Sequence, residues 1–431
     1  MPTLTDEINR SISSVFRRAQ IRRRLSATGL YESSWTDISI YIKSWGSLHA
    51  GVDDVRLNRF IHSGIRLVVR NDTGAFNPES NVASLWNGTL SRYRTLVRIQ
   101  AGYTQDDGTE LPTDTTQGIY ILDGEIPISG VTNDVILNCK SLVSVFEEVR
   151  ARDIPGLGTA QTATSLFTRI RDHTDGAANF IFREFITSTS WSIQTTTALL
   201  NLATTTSIEA MSVWDLMQSV AEVEGYVVFI DRTGSLIFKD RTSNTTTSQF
   251  AFLGQGFNPQ NIISLDEHKQ ALDKYYNYFR LKFLEAETLT SYVSAGTTTT
   301  TNISNTSWLF GSRVYNFENQ FFSTTVAAQT AVDGLLTTFG TVQDEAYFTA
   351  KFIPHIDIFD RVTFSYRSYD MINSELWDGF EWASDTAALA NDGGNWARDG
   401  DNFDINSTTF NIISRETDLD NFTTKFTIRS I

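Results

Sequence analysis

Ile65-Arg66-Leu67-Val68-Val69-Arg70-Asn71-Asp72-Thr73-Gly74-Ala75-Phe76-Asn77-Pro78 reads as a strand that breaks into a fixed turn and then an extended step. Ile65, Leu67 and Val69 alternate with Arg66, Val68 and Arg70, so one face is apolar and the other mostly charged, as a half-buried antiparallel strand requires. Asn71, Asp72 and Gly74 supply the turn: Asn and Asp side chains fold back onto their own backbone and Gly74 can take positive φ. Pro78 then holds Asn77 extended. No catalytic group is needed to explain any of these residues.

Outward from that stretch, Trp35 to Val149 is a run of short strands separated by turn signals. Asp37 to Ser44 alternates Ile38, Ile40 and Ile42 on one side. Leu96 to Tyr103 and Gly118 to Leu122 give further strands, with a turn at Asp106-Asp107-Gly108 between them, and Val131 to Leu137 leads into a helical stretch at Leu142 to Val149. Strands at such spacing with a closing helix suit a small antiparallel barrel or sandwich. Residues 153–163 form a linker by composition, and Ala163 to His173 then reads as a helix with Leu166, Phe167 and Ile170 on one side. A longer helical run starts at Ser207 and ends on Gly225 as a C-cap, followed by Tyr226 to Ile230, an Asp231-Arg232-Thr233-Gly234 turn and the strand Ser235 to Lys239. Later strands are expected at Tyr275 to Phe283, Ala350 to Pro354, Ile358 to Phe364, Thr409 to Ser414 and Lys425 to Ile431, with a polar loop at Thr297 to Asn302.

The chain has 431 residues, 41 % apolar and 12 % aromatic, which excludes a disordered polymer and allows two to four domains. Thr-rich and Pro-poor, with Val, Ile, Phe and Tyr leading the apolar set, it should be mainly β. Formal charge is -15 but uneven: six arginines against Asp6 and Glu7 leave residues 1–30 at +4, so the remainder carries -19. So acidic a body repels duplex DNA rather than gripping it. Within the basic arm, Ile8, Ile12, Val15, Phe16 and Ala19 fall near helical spacing and predict a short amphipathic helix over Ile8 to Leu25. Its arginines, Arg17, Arg18 and Arg22 among them, read first as the solvated face of a terminal helix and second as candidates for docking on an acidic neighbouring subunit, with nucleic acid or a membrane surface as further alternatives. No apolar run approaches membrane-spanning length and no signal-like segment opens the sequence, so synthesis in a reducing cytoplasm is expected.

The residues at 65–78, read with Ser84-Leu85-Trp86-Asn87-Gly88 and Asp123-Gly124-Glu125-Ile126, resemble the N-terminal barrel of phage tail hub proteins, also called baseplate hub or tail-tip hub proteins. The helix, Gly225, strand, Asp-x-x-Gly turn and strand at 207–239 resemble the same family, and so does the pair at 350–364. There family members more often place Gly where this chain has Phe359, before Asp360. The resemblance implies a mainly β chain with two antiparallel tail-tube-like β-barrel domains and smaller α/β domains. The expected division is a basic arm at 1–30, a first barrel at 31–150, an α+β middle at 151–255 and a second barrel at 256–431 interrupted by an insertion at 371–406. It further implies a homotrimer in the virion, at the tail tip, joining the tail tube to the tip or fibres. The implied partners are the distal tail or tube protein, the tape measure and tip or fibre proteins, with DNA passing through the lumen unbound.

Nothing in the sequence assembles a catalytic set. The five histidines are scattered, expected at the surface or in turns, and no pair has HExxH spacing. There is no GxSxG elbow and no phosphate-cradling loop. Cys139, the single cysteine, points inward with Val135 and Leu137 and reads as a small buried hydrophobe. No enzyme activity, metal or cofactor is therefore expected. The insertion carries Trp377, Trp382 and Trp396 beside Asp392, Asp399 and Asp401. Packing of the tryptophans against a neighbouring tail protein is the leading reading, with sugar stacking or calcium ligation as rivals. A carbohydrate- or receptor-binding tail module is the alternative function, and a cell-wall hydrolase a more distant one.

Overall fold

The computed structural model describes residues 3–10, 14–25, 28–52, 59–77, 81–88, 90–123, 133–157, 161–174, 181–202, 208, 210–241, 247–255, 257, 259–286, 289–296, 313–367 and 404–430. As the composition requires, these are mainly strand. The strand Ile65–Arg70 buries Ile65, Leu67 and Val69 and leaves Arg66 and Arg70 exposed. It belongs to a wholly antiparallel sheet in the order Thr36–Asp37, Ser14–Leu25, Leu90–Thr104, Thr116–Leu122, Asp134–Ser141, Ile65–Arg70, Ile42–Ser44, with Glu110–Leu111 beside the long Leu90–Thr104 strand. Laid flat, seven strands span about 29 Å. Yet the two edge strands, ending at Asp37 and starting at Ile42, are joined by so few residues that they lie at most ~18 Å apart. The sheet must roll up.

That joint corrects the expected strand over Asp37 to Ser44. Ser39–Tyr41 is instead a single 3-10 turn that carries the chain from one edge of the rolled sheet to the other. Ile38 is buried and Ile40 exposed, so the alternation of isoleucines reflects a corner. Its anchors are Ile38 N–H donating to the Ala19 carbonyl (2.9 Å) and Ala19 N–H donating to Ser39 Oγ (2.9 Å).

A second sheet runs Phe250–Leu253, Arg361–Arg367, Asp404–Asp418, Thr423–Ser430, Asp344–Lys351, Ile262–Gln270. All its neighbours are antiparallel except the first pair. Asn261 closes it. Its N–H donates to the Leu253 carbonyl (2.9 Å), its Oδ1 accepts from Leu253 N–H (2.9 Å), its Nδ2 donates to the Ala251 carbonyl (3.0 Å), and its own carbonyl accepts from Lys351 N–H (2.9 Å). One buried carboxamide thus stands in for a strand and joins the two edges. The hairpin Ser47–Val52 with Phe60–His62 also belongs to this second sheet, paired on Asp404–Asp418.

Between and beside the barrels lie the helices Val143–Glu148, Ala163–Arg171, Val213–Glu224 and Thr325–Phe339 with three small sheets. The unit keeps the expected order of helix, glycine, strand, turn and strand, but the helix begins at Val213 rather than at Ser207: Ser212 caps it, Gly225 ends it at φ +70, and Tyr226–Ile230 pairs with Leu236–Asp240 across a turn with Gly234 at φ +82. One apolar core joins both barrels and a second joins the helices to the smaller sheets.

The basic arm departs from its expected form. Leu4–Asn9 is a six-residue helix, but Ser14–Leu25 is a strand paired along Leu90–Thr104. Ala19 and Ile21 alternate into the core while arginines flank them. A long partner strand far away in sequence offers a ladder of backbone hydrogen bonds along one edge of this segment, and that outweighs the modest helix preference of Arg and Ala.

Candidate functional site

Continuity between the barrels is built from backbone first. The strand Ile42–Ser44 of the first sheet passes through Trp45 and Gly46 directly into Ser47–Val52 of the second. Gly46 turns this corner at φ +65, and a Cβ there would lie 2.8 Å from the Arg66 carbonyl oxygen. Arg17 is threaded into the same corner. Its guanidinium lies 5.2 Å over the ring of buried Trp45 and 5.3 Å over that of Phe422, donating to the Leu419 carbonyl and, at 3.2 Å, to Asp420 Oδ1. Asp420 in turn accepts from Ser44 Oγ–H (2.8 Å) and Trp45 N–H (3.2 Å). Farther along the seam Tyr103 O–H donates to the Phe352 carbonyl (2.7 Å) and Gln117 Nε2 to the Pro354 carbonyl (2.8 Å).

A second joint ties the α+β module to both barrels through one hairpin turn. Arg232 N–H donates to Asp357 Oδ2 (2.7 Å) of the second barrel, while its Nη1 donates to the Thr116 carbonyl (2.7 Å) of the first. Gly234 packs on Ile119, whose Cδ1 would sit 2.9 Å from an added Cβ. Beside this turn lies a cleft of about 630 Å³ lined by, among others, Asp231, Lys239, His355, Asp357 and Asp360. Burial, and next the Asp357 charge, raise Asp231 to about 6 against hydrogen bonds from Thr233 and Ser235. Burial lowers Lys239 to about 8, against Asp240 and Asp360.

Burial pushes His355 and His62 each down to about 4, so both rings are neutral at pH 7. The expectation of surface or turn histidines fails for His62, which sits in a strand with its ring tilted against that of Tyr120 at 5.6 Å. Cys139 is buried as expected, and burial raises its thiol far from thiolate formation. Among the described residues no three His, Cys, Asp or Glu side chains gather as metal ligands, and no helix is long and apolar enough to cross a membrane.

The structural turn is where the sequence puts it. Gly74 has φ +74 and donates its N–H to the Asn71 carbonyl (3.0 Å). Asn71 is buried, its Oδ1 accepting from Phe76 N–H (2.8 Å) and its Nδ2 donating to Asn77 Oδ1 (2.8 Å). Asp72 is exposed on the turn. Of the candidate interface arginines, Arg17 is inside the barrel junction, Arg18 pairs with Glu110 (2.8 Å) and Asp37 (3.6 Å), and Arg22 donates Nε to the Glu32 carbonyl. Pro78, Trp377, Trp382, Trp396, Asp392, Asp399 and Asp401 lie outside the described residues, as does the loop at 297–302. Sequence reasoning missed Asn261 and Asp420, polar residues whose roles depend on partners far away in the chain.

Phe359 resolves the departure noted at 350–364. It has φ +64, the left-handed conformation for which glycine is the natural residue. Its ring is buried 5.5 Å from that of Phe229, under the α+β module, and its N–H donates to the Ile412 carbonyl (2.9 Å). Phe359 thus holds a left-handed backbone while its ring packs under the α+β module.

No family model matches the chain and no curated protein matches it by sequence. Solved structures do. A tail protein from Neisseria meningitidis MC58 superposes with a TM-score of 0.51 at 9 % identity, covering 96 % of each chain. The 43 kDa tail protein of prophage MuSo2 from Shewanella oneidensis gives 0.47 at 11 % identity, over 96 % of this chain and 98 % of that one. A prophage tail protein from Listeria monocytogenes gives 0.47 at 10 % identity, over 95 % and 94 %. Along nearly its whole length, the chain has the fold of the Neisseria tail protein.

Proposed function

We propose that this chain is a structural virion protein of a phage tail tip or baseplate hub, without enzymatic activity. In this reading it joins the tail tube to the tip or fibres, and three copies form a ring around the DNA-ejection channel. The observation that carries the reading is the fusion of two barrels into one body. They share a core, a strand runs from one into the other at Gly46, and Arg17 and Asp420 fasten the corner. Two barrels held at a fixed angle in each subunit give six barrel positions in a trimer, the number needed to match a six-fold tube to a three-fold tip. A net charge of -15 suits a wall that DNA slides past. Distal tail, tape-measure and tip or fibre proteins are the partners this role requires, and the product is made in the host cytoplasm and resides in the virion. Native mass spectrometry of the purified protein, alone and with adjoining tail proteins, tests the reading: a mass of three copies supports it, and a monomer under every condition contradicts it.

A further inference from the structure

The outward face of the strand Ser14–Leu25 carries Arg18, Gln20, Arg22 and Arg24, because Ala19 and Ile21 point into the core. Register places Gln20 opposite Arg98 and Arg22 opposite Leu96 on the strand Leu90–Thr104, so Arg18, Arg22 and Arg98 share one face. Two of these cations are neutralised within the chain: Arg18 by Glu110 and Asp37, and Arg24 by Glu184 at 2.9 Å. Among the described residues Arg22 and Arg98 have no carboxylate at ion-pair distance. Arg22 donates to the Glu32 carbonyl and lies 5.7 Å from the Tyr31 ring, while Arg98 donates to Gln20 Oε1 and lies 4.4 Å over Trp35. All of these partners are neutral. Burial, opposed by Asp114, holds Arg98 below its ordinary pKa, and Arg18 and Arg22 stand near enough to lower it further. In a strongly acidic chain, two arginines on neighbouring strands repel each other, and among the described residues Asp114 acts on Arg98 without forming an ion pair with it.

We propose that Arg22 and Arg98, framed by Tyr31 and Trp35, form a docking site for a carboxylate-bearing surface of a second copy of this chain. Charge complementarity selects that occupant. Outside its first thirty residues the chain carries -19, so an approaching copy presents carboxylates. A guanidinium takes a carboxylate through two parallel hydrogen bonds, and the Trp35 ring already fixes the plane of Arg98, so little side-chain freedom is lost on docking. The site replaces Arg17 and Arg18, which are occupied within the chain, as the contact surface of the basic arm. It rests on the assembly proposed above.

Self-association of the full chain is measured by sedimentation velocity at several salt concentrations for the parent, for Arg22→Ala/Arg98→Ala, and for Arg22→Lys/Arg98→Lys, with thermal melting as the folding control. The parent should associate more weakly as salt rises. The alanine pair should need at least tenfold more protein to associate and should lose most of that salt dependence. If the alanine pair does not melt cooperatively, the lysine pair carries the test: it keeps both stems and charges but not the planar forks, and should associate more weakly at unchanged melting. A parent that associates while the folded variants associate equally well overturns the docking site and leaves the assembly reading standing. A parent that never associates overturns the docking site, and the assembly reading falls with it only if the chain also stays monomeric when adjoining tail proteins are added. Binding of a fluorescent single-stranded DNA oligonucleotide that disappears in the alanine pair overturns the choice of occupant in favour of nucleic acid.

Discussion

Asn261→Ala removes the side chain that closes the second barrel. Three hydrogen bonds go with it: the one Oδ1 accepts from Leu253 N–H, the one Nδ2 donates to the Ala251 carbonyl and a longer one (3.4 Å) that Nδ2 donates to Asn9 Oδ1. At about 1 kcal/mol each, with about 1 kcal/mol more for a part-buried amide left without an acceptor, the loss comes to about 2–4 kcal/mol. The backbone bonds from Asn261 N–H to Leu253 and from Lys351 N–H to Asn261 survive, so the seam should loosen rather than part. Denaturant unfolding reads the total, and amide hydrogen exchange at Leu253 reads the location. Asn261→Asp separates the two roles: it retains the acceptor for Leu253 N–H but sets an anionic oxygen against the Ala251 carbonyl, so it should destabilise while leaving the Leu253 amide protected. An alanine variant within about 0.5 kcal/mol of the parent, with Leu253 still slow to exchange, would refute closure by this side chain.

Substitutions at three further sites make other contributions measurable. Gly74→Val should cost about 2 kcal/mol or more and lower the melting temperature, since a β-branched residue is disfavoured at φ +74 and its Cβ would lie 2.9 Å from Asn77 Nδ2; unchanged melting would remove the turn's importance. Phe359→Gly should be more stable than Phe359→Ala by about 1 kcal/mol, because both lose the ring and only glycine relieves the left-handed backbone; the opposite order in denaturant melts contradicts this. For Asp231 the folded pKa of about 6 stands above the ordinary value of 3.8, so the native state binds the extra proton. Its contribution is therefore most favourable below about pH 4 and is lost as pH rises through 6. Asp231→Asn should flatten that part of the stability profile and stabilise the protein at pH 7, and identical profiles for parent and variant would exclude the effect.

What could be read in the sequence was what depends on neighbours in the sequence. The strand and turn at 65–77, the capped helix ending at Gly225 and the hairpin across Asp231 to Gly234 each carry their own instructions in alternation, a capping serine or a glycine able to take positive φ. The arm misled because its apolar spacing fits a helix and a strand about equally well, and the decision lay with Leu90–Thr104, more than sixty residues away. Ile40 misled because alternation cannot reveal that a rolled sheet turns its corner there. The passage of the 47–62 hairpin into the second sheet was illegible for the same reason. Of the candidate interface, Arg22 could be named but not its companion: Arg98 reads as an ordinary strand arginine until register brings it opposite Gln20.

The central claim is that the chain is a trimeric hub whose acidic body faces the passage of DNA. A reconstruction of the intact tail tip tests it most directly. The account predicts three copies in a closed ring, a channel wall with more Asp and Glu than Lys and Arg, and the strand Ser14–Leu25 away from the bore with Arg22 and Arg98 against a neighbouring copy. A single copy at the tip, or a bore lined by arginines including Arg17 to Arg24, would contradict it.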